Sequence, residues 1–214
     1  MSPYLAEAFY VFVTLIAMLN PVEAAAAFAT LTDGRSPQDQ AQIALRASLV
    51  AGIALIVFAF VGEGLLGALG VQLGAFKIAG GVLLLKVGFD MVFAERTDTQ
   101  AADSEKASRA PASDPSVFPL GIPIITGPGA LTASVALVNP TPDHQLLNGG
   151  IFVAVAVVTI GITYLSMRGA ERLTRLLGRT GVDAVGRIVG IIVAAIAVQM
   201  VVNGVGSLTG FKFR

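Results

Sequence analysis

The residues that could do chemistry fall into a few short stretches, each beside a proline or inside an otherwise apolar run. Asn20, Pro21 and Glu23 interrupt the first apolar stretch, and Thr126, Gly127, Pro128 and Gly129 interrupt a later one. Gln199 and Asn203 stand four apart near the end, as do Lys86 and Asp90. Proline within a helix removes one backbone hydrogen bond and clashes with the preceding turn. In hydrocarbon, each peptide group so freed costs several kcal/mol unless protein or trapped water satisfies it. Two unwound segments meeting inside a bilayer therefore offer amide N–H groups at one set of half-helix ends and carbonyls at the other. The N–H ends attract anions. A zwitterion requires both. The hydroxyls of Thr30, Thr32, Thr126 and Thr132 add hydrogen-bonding capacity, and glycine beside a break permits close backbone approach to a small ligand. The competing expectation is that the prolines only kink packed helices.

Glu23 carries two readings. A carboxylate beside a break can hold a coupling proton or cation or meet a substrate ammonium, and one in a first helical turn can equally serve as a cap. Gln199 and Asn203 either line the same cavity or bond between helices. Lys86 and Asp90 share a helix face and are expected to pair structurally. Catalytic patterns are missing: the single histidine, His144, has only Asp143 beside it, and no phosphate-cradling loop occurs. The chain is expected not to be an enzyme, and no cofactor or metal is implied.

These residues sit in a chain of 214 residues that is 55% hydrophobic and 13% charged, about half the charge of a soluble domain. Uncharged runs cover 47–62, 115–142, 145–167 and 188–211. A span needs about 20 apolar residues, since the hydrocarbon core is roughly 30 Å thick and each residue rises ~1.5 Å. The fold class is therefore all-α: a polytopic membrane bundle with six spans near 5–32, 43–67, 72–93, 117–139, 146–167 and 187–208. The N-terminus lacks the basic stretch of a cleaved signal, so the first run is expected to remain as a span. Zero formal net charge implies no nucleic-acid partner, and the absence of cysteine removes thiol chemistry.

Residues 94–116 are charged and poor in large apolar side chains, and read as a flexible cytoplasmic linker between two three-span halves, 1–93 and 117–214. Landmarks recur in order: a break at Asn20-Pro21 and one at Gly127-Pro128-Gly129, then Lys77-Ile-Ala-Gly80 and Arg187-Ile-Val-Gly190 at nearly equal intervals. An odd number of spans per half inserts the second copy upside down, giving inverted repeats with broken helices in spans one and four. Loops after spans one, three and five hold Arg35, Arg46, Arg96, Lys106, Arg109, Arg168, Arg172, Arg175, Arg179 and Arg187, whereas the other side clearly holds only Lys212 and Arg214. Basic loops stay inside, so both termini are expected outside the plasma membrane. The stretch after span five, with Leu173, Leu176 and Leu177 among its arginines, reads as a short helix on the inner leaflet or as a solvated basic loop. Gly70 with Gly74, and Gly186 with Gly190, are expected to pack helices closely.

Four segments resemble the MarC family of bacterial and archaeal membrane proteins: NPVEAAAAFATLT, IAGGVLLLKVGFDMVF, FPLGIPIITGPGALTA and GVDAVGRIVGIIVAAIAVQMVVNGV. The resemblance spans nearly the whole chain except the linker. It implies six spans, a plasma-membrane location and kinship with LysE-type exporters, some members being reported as transporters of neutral amino acids such as glycine and alanine. The family's usual N-P-x-G reads Asn20-Pro21-Val22-Glu23 here, and alanine replaces a later proline before Phe28. The second motif matches closely, so Gly127, Pro128 and Gly129 carry over more firmly. Three functions result: a secondary transporter of a small polar or zwitterionic solute coupled to a proton or sodium ion, a channel or facilitator, and a non-transporting scaffold. Membrane lipid is a partner in each, and a homo-oligomer is compatible with all three.

Overall fold

The computed structural model describes residues 3–93, 114–138 and 145–210. Among the described residues, eight helices follow from where proline and glycine fall among apolar runs. α1 (Pro3–Leu19) and α2 (Pro21–Leu31) are separated by Asn20 alone. α3 (Pro37–Ala68) is started by Ser36, whose hydroxyl accepts the Asp39 N–H at 3.1 Å and donates to the Asp39 carboxylate at 2.7 Å. It ends where Gly70 takes a φ of +69°, letting the Val71 N–H return to the Leu66 carbonyl at 2.9 Å. α4 (Leu73–Phe93), α5 (Ser116–Ile125), α6 (Pro128–Val138), α7 (Gln145–Arg168) and α8 (Ala170–Thr209) complete the chain. Proline opens α2, α3 and α6, a position where its missing N–H costs nothing.

Among the described residues, four stretches are long and apolar enough to cross a membrane: Tyr4–Leu31, Pro37–Ala68, Gly149–Arg168 and Asp183–Thr209. The third expected span, α4, carries Lys77, Lys86 and Asp90. The fourth is divided between α5 and α6. Phe9, Ile53, Phe60, Leu65, Phe89, Val157, Leu165, Ile188, Ile191 and Val198 face outward, an apolar surface too extensive for a protein bathed in water. The expected linker at 94–116 falls outside the described residues except for Asp114, Pro115 and Ser116, and His144, Lys212 and Arg214 lie outside them too. The arginine-rich stretch after span five is helical from Ala170 and bends at Gly178, whose φ is 62°; Leu176 there is 85% exposed.

α3 packs on α5, α6 and α7, while α7 also packs on α1 and α2. α2 meets α8 and α6 meets α4. The most extensive pairing is α4 with α8. There Gly74, Gly81 and Gly88 face Gly204, Ala197 and Gly190: seven residues forward on α4 match seven back on α8, so the helices run antiparallel. A seven-residue repeat keeps one seam facing its partner along a left-handed crossing. A Cβ on Gly204 would lie 2.7 Å from the Gly74 carbonyl oxygen, and one on Gly190 would lie 2.9 Å from that of Gly88. The expected pairings at a spacing of four are corrected accordingly. Gly74 and Gly190 belong to the seam, Gly70 shapes the turn after α3, and Gly186 has nothing within 4 Å of its Cβ position.

Candidate functional site

The first break rests on one residue. Asn20 adopts φ 38° and ψ 74°, and it is the only non-glycine with positive φ among the described residues. Asparagine tolerates this left-handed region better than most L-residues. Pro21 has no N–H, so the carbonyl of Ala17, four residues earlier, loses its helical partner. The Asn20 side chain instead caps the start of α2. Its Oδ1 accepts the Glu23 N–H at 3.4 Å, and its Nδ2 donates to Glu23 Oε2 at 2.8 Å. Asn20 is buried and Glu23 is exposed, so a buried amide holds an exposed carboxylate at the first turn of α2. Asn20→Ala is expected to lower stability by about 2 kcal/mol, from left-handed strain and the lost cap. Asn20→Gly, which relieves the strain, is expected to cost under about 1 kcal/mol. Thermal unfolding in detergent measures both, and equal losses would show that the backbone geometry contributes nothing.

The second break is longer. Phe118 (φ −132°, ψ 128°) and Ile122 (φ −134°, ψ 125°) are extended within α5. Each precedes a proline, Pro119 and Pro123, whose ring pushes the preceding residue out of the helical region. The turns between them widen: the Leu120 N–H reaches the Pro115 carbonyl and the Thr126 N–H reaches that of Gly121, each five residues back and each at 3.1 Å. The Thr126 hydroxyl donates to the same Gly121 carbonyl at 2.7 Å. α6 then begins at Pro128, with the Ala130 and Leu131 N–H groups returning to the Gly127 carbonyl.

The packing aligns the two breaks. α1 lies against α6 and α2 against α5, so the interrupted spans run in opposite directions with their interruptions at one level. Leu19 and Ala24, flanking the first break, share one buried cluster with Ile125 and Ala130, flanking the second. Gly129 sits directly against the Leu84 side chain of α4, and Leu84 clusters with Ala17, Val193, Ala197 and Met200. Ala17 and Leu84 were not singled out by sequence. The missing N–H of Pro21 points to Ala17, whereas an unremarkable leucine in an apolar helix gives no signal.

Other expected site residues lie apart. Gln199 Nε2 donates to Asn203 Oδ1 at 2.9 Å, and both are exposed on the side of α8 away from buried Ala197. Thr30 and Thr32 donate to carbonyls of their own helix, and buried Thr132 abuts Gly80. Lys86 and Asp90 pair at 2.7 Å.

At the end of the bundle where α5 begins, Arg46 and Asp114 pair at 2.7 Å. Partial burial raises the Asp114 carboxyl, but hydrogen bonds from Ser116 and the Arg46 guanidinium outweigh it and hold the group below the usual carboxylate range. The stabilisation is therefore present above that range and disappears as pH falls through the depressed value. Both side chains are substantially exposed, so Asp114→Asn is expected to cost under about 1 kcal/mol at neutral pH. That difference should vanish in strong acid, as unfolding midpoints across pH would register.

An all-helical bundle with outward apolar faces and two interrupted helices packed at one level defines an integral membrane protein. The sequence description "MarC family integral membrane protein" matches residues 5–209, and the chain belongs to that family. A UPF0056 membrane protein of Methanocaldococcus jannaschii is 34% identical over 195 residues, 91% of this chain and 93% of its own. One from Archaeoglobus fulgidus is 33% identical over 201 residues, 94% and 93% of the two chains, and the Escherichia coli UPF0056 membrane protein YhcE is 29% identical over 198, 92% and 91%. The family is multi-pass and found in bacteria and archaea. No solved structure matches the chain.

Proposed function

We propose that this chain is a secondary transporter moving a small neutral amino acid, or a similar small polar solute, across the plasma membrane. The observation that carries the reading is the meeting of two interruptions in antiparallel spans. Peptide groups released there can hold a carboxylate at N–H ends and an ammonium at carbonyls, beside the Glu23 carboxylate. Around this centre we read six spans arranged as two inverted halves. Exchanging the halves supports that: α3 on α5 becomes α7 on α1, α3 on α6 becomes α7 on α2, and α2 on α8 becomes α6 on α4. The pairs α3 with α7 and α4 with α8 map onto themselves. The basic loops then lie in the cytoplasm with both termini outside, residues 94–116 link the halves, and a proton or sodium ion drives movement through Glu23. Asn20, Pro21, Thr126, Gly127, Pro128 and Gly129 form the solute site in this reading.

Purified protein in liposomes, offered radiolabelled glycine, alanine and serine under imposed proton or sodium gradients, tests the reading. Saturable, gradient-dependent uptake of at least one is expected. Uptake of none under either gradient would overturn the amino acid assignment, and non-saturating flux would replace a transporter with a channel.

A further inference from the structure

We propose that Leu84 is the side chain that sets the size of solute admitted between the two breaks, an inference that rests on the transporter reading above. Leu84 is 3% exposed, packs directly on the second interruption and belongs to the buried cluster that reaches Ala17, three residues before the first. A Cβ placed on Gly129 would collide with Leu84 Cδ1 and stand 3.3 Å from its Cγ, so only the hydrogen of glycine fits between this side chain and the second break. On the other side Leu84 shares its cluster with Ala17, whose carbonyl Pro21 deprives of its helical partner. The leucine is therefore the apolar side chain that closes on the second break from the direction of the cluster leading to the first.

Its position is held. Gly81, one turn before, would place a Cβ 2.8 Å from the Ala197 carbonyl oxygen, and Gly88, one turn after, would place one 2.9 Å from the Ala194 nitrogen. Gly80 meets Thr132 of α6 just as closely. α4 is thus locked backbone-to-backbone against α8 on both sides of Leu84 and cannot retreat to make room. A fixed apolar wall opposite a glycine accepts a hydrogen or methyl side chain and excludes a branched one, by the steric cost of overfilling a packed site. Truncating the wall removes the isopropyl group and opens space of matching shape.

The full chain in liposomes, offered radiolabelled glycine, alanine, valine and leucine, provides the test. Leu84→Ala is expected to raise uptake efficiency for leucine relative to alanine by about tenfold or more, since the two solutes differ by three carbons and even one methylene commands about that discrimination in an apolar pocket. Leu84→Met, close to leucine in volume, is expected to keep the native ratio. Should Leu84→Ala not fold, Leu84→Val carries the test, with the valine-to-alanine ratio expected to rise severalfold. A folded, transporting small-residue variant with an unchanged ratio overturns the role of Leu84 and leaves the transporter reading standing. If the native chain moves none of the four, the transporter reading falls and this inference falls with it.

Discussion

Replacing Gly81 with leucine is expected to abolish the folded protein: membranes should yield no monodisperse species in detergent, while the native chain yields one. The Val201 Cγ2 methyl, 2.7 Å from the Cβ position, could rotate away, but two backbone atoms beside it cannot: the Ala197 carbonyl oxygen at 2.8 Å and the Val201 nitrogen at 3.1 Å. Overfilling a core usually costs 1–3 kcal/mol because side chains yield; a backbone-to-backbone seam yields only by separating α4 from α8, so a loss above about 3 kcal/mol is expected here. That is a large share of the roughly 5–15 kcal/mol by which a domain is stable. Gly161→Ala is the control. Nothing lies within 4 Å of its Cβ position, and alanine is expected to leave stability unchanged or raise it by up to about 1 kcal/mol. A Gly81→Leu protein that elutes and melts like the native chain would show that the seam does not hold the halves together.

The seam also shows where sequence reasoning stops. Glycines four apart suggest close packing, and Gly74 and Gly190 do pack closely. The operative period is seven, however, and it was present in the spacing of Gly74, Gly81 and Gly88 and of Gly190, Ala197 and Gly204. A repeat on one helix becomes legible as an interface only when its partner is known, because small residues also sit at turns, as Gly70 does. The breaks were easier. Proline acts through its own backbone, so Asn20-Pro21 and the stretch from Pro119 to Gly129 declare themselves without tertiary information. The extended geometry of Phe118 and Ile122 followed from the same rule, applied to the residue before each proline. Gln199 and Asn203 illustrate the opposite case: a spacing of four says they share a face, and nothing local says which neighbours that face meets.

Helix order adds a further constraint. Two broken spans could each be satisfied by their own surroundings, with no common site. Here α1 takes α6 as neighbour while α2 takes α5, a pairing that forces both junctions to one depth. The residues flanking the two junctions, Leu19 and Ala24 on one span and Ile125 and Ala130 on the other, accordingly belong to one buried cluster.

Glu23→Gln is expected to remove gradient-driven accumulation by about tenfold or more while leaving solute exchange at equal concentrations intact. The variant preserves shape and the contact to Asn20, since a glutamine oxygen accepts from Asn20 Nδ2 as the carboxylate does at 2.8 Å. What it removes is the charge and the ability to carry a proton. If Glu23 served only to cap α2, the loss would be confined to the helix-terminus interaction, about 0.3–1 kcal/mol of stability, with transport unchanged. The two roles thus separate cleanly in two measurements: unfolding midpoint reports the cap, and accumulation against a proton or sodium gradient reports the coupling. Exchange must be assayed alongside, because a variant that loses both exchange and accumulation has lost its solute site rather than its coupling ion. Glu23 is exposed while its partner Asn20 is buried, so replacing the carboxylate leaves in place the buried amide that shapes the turn.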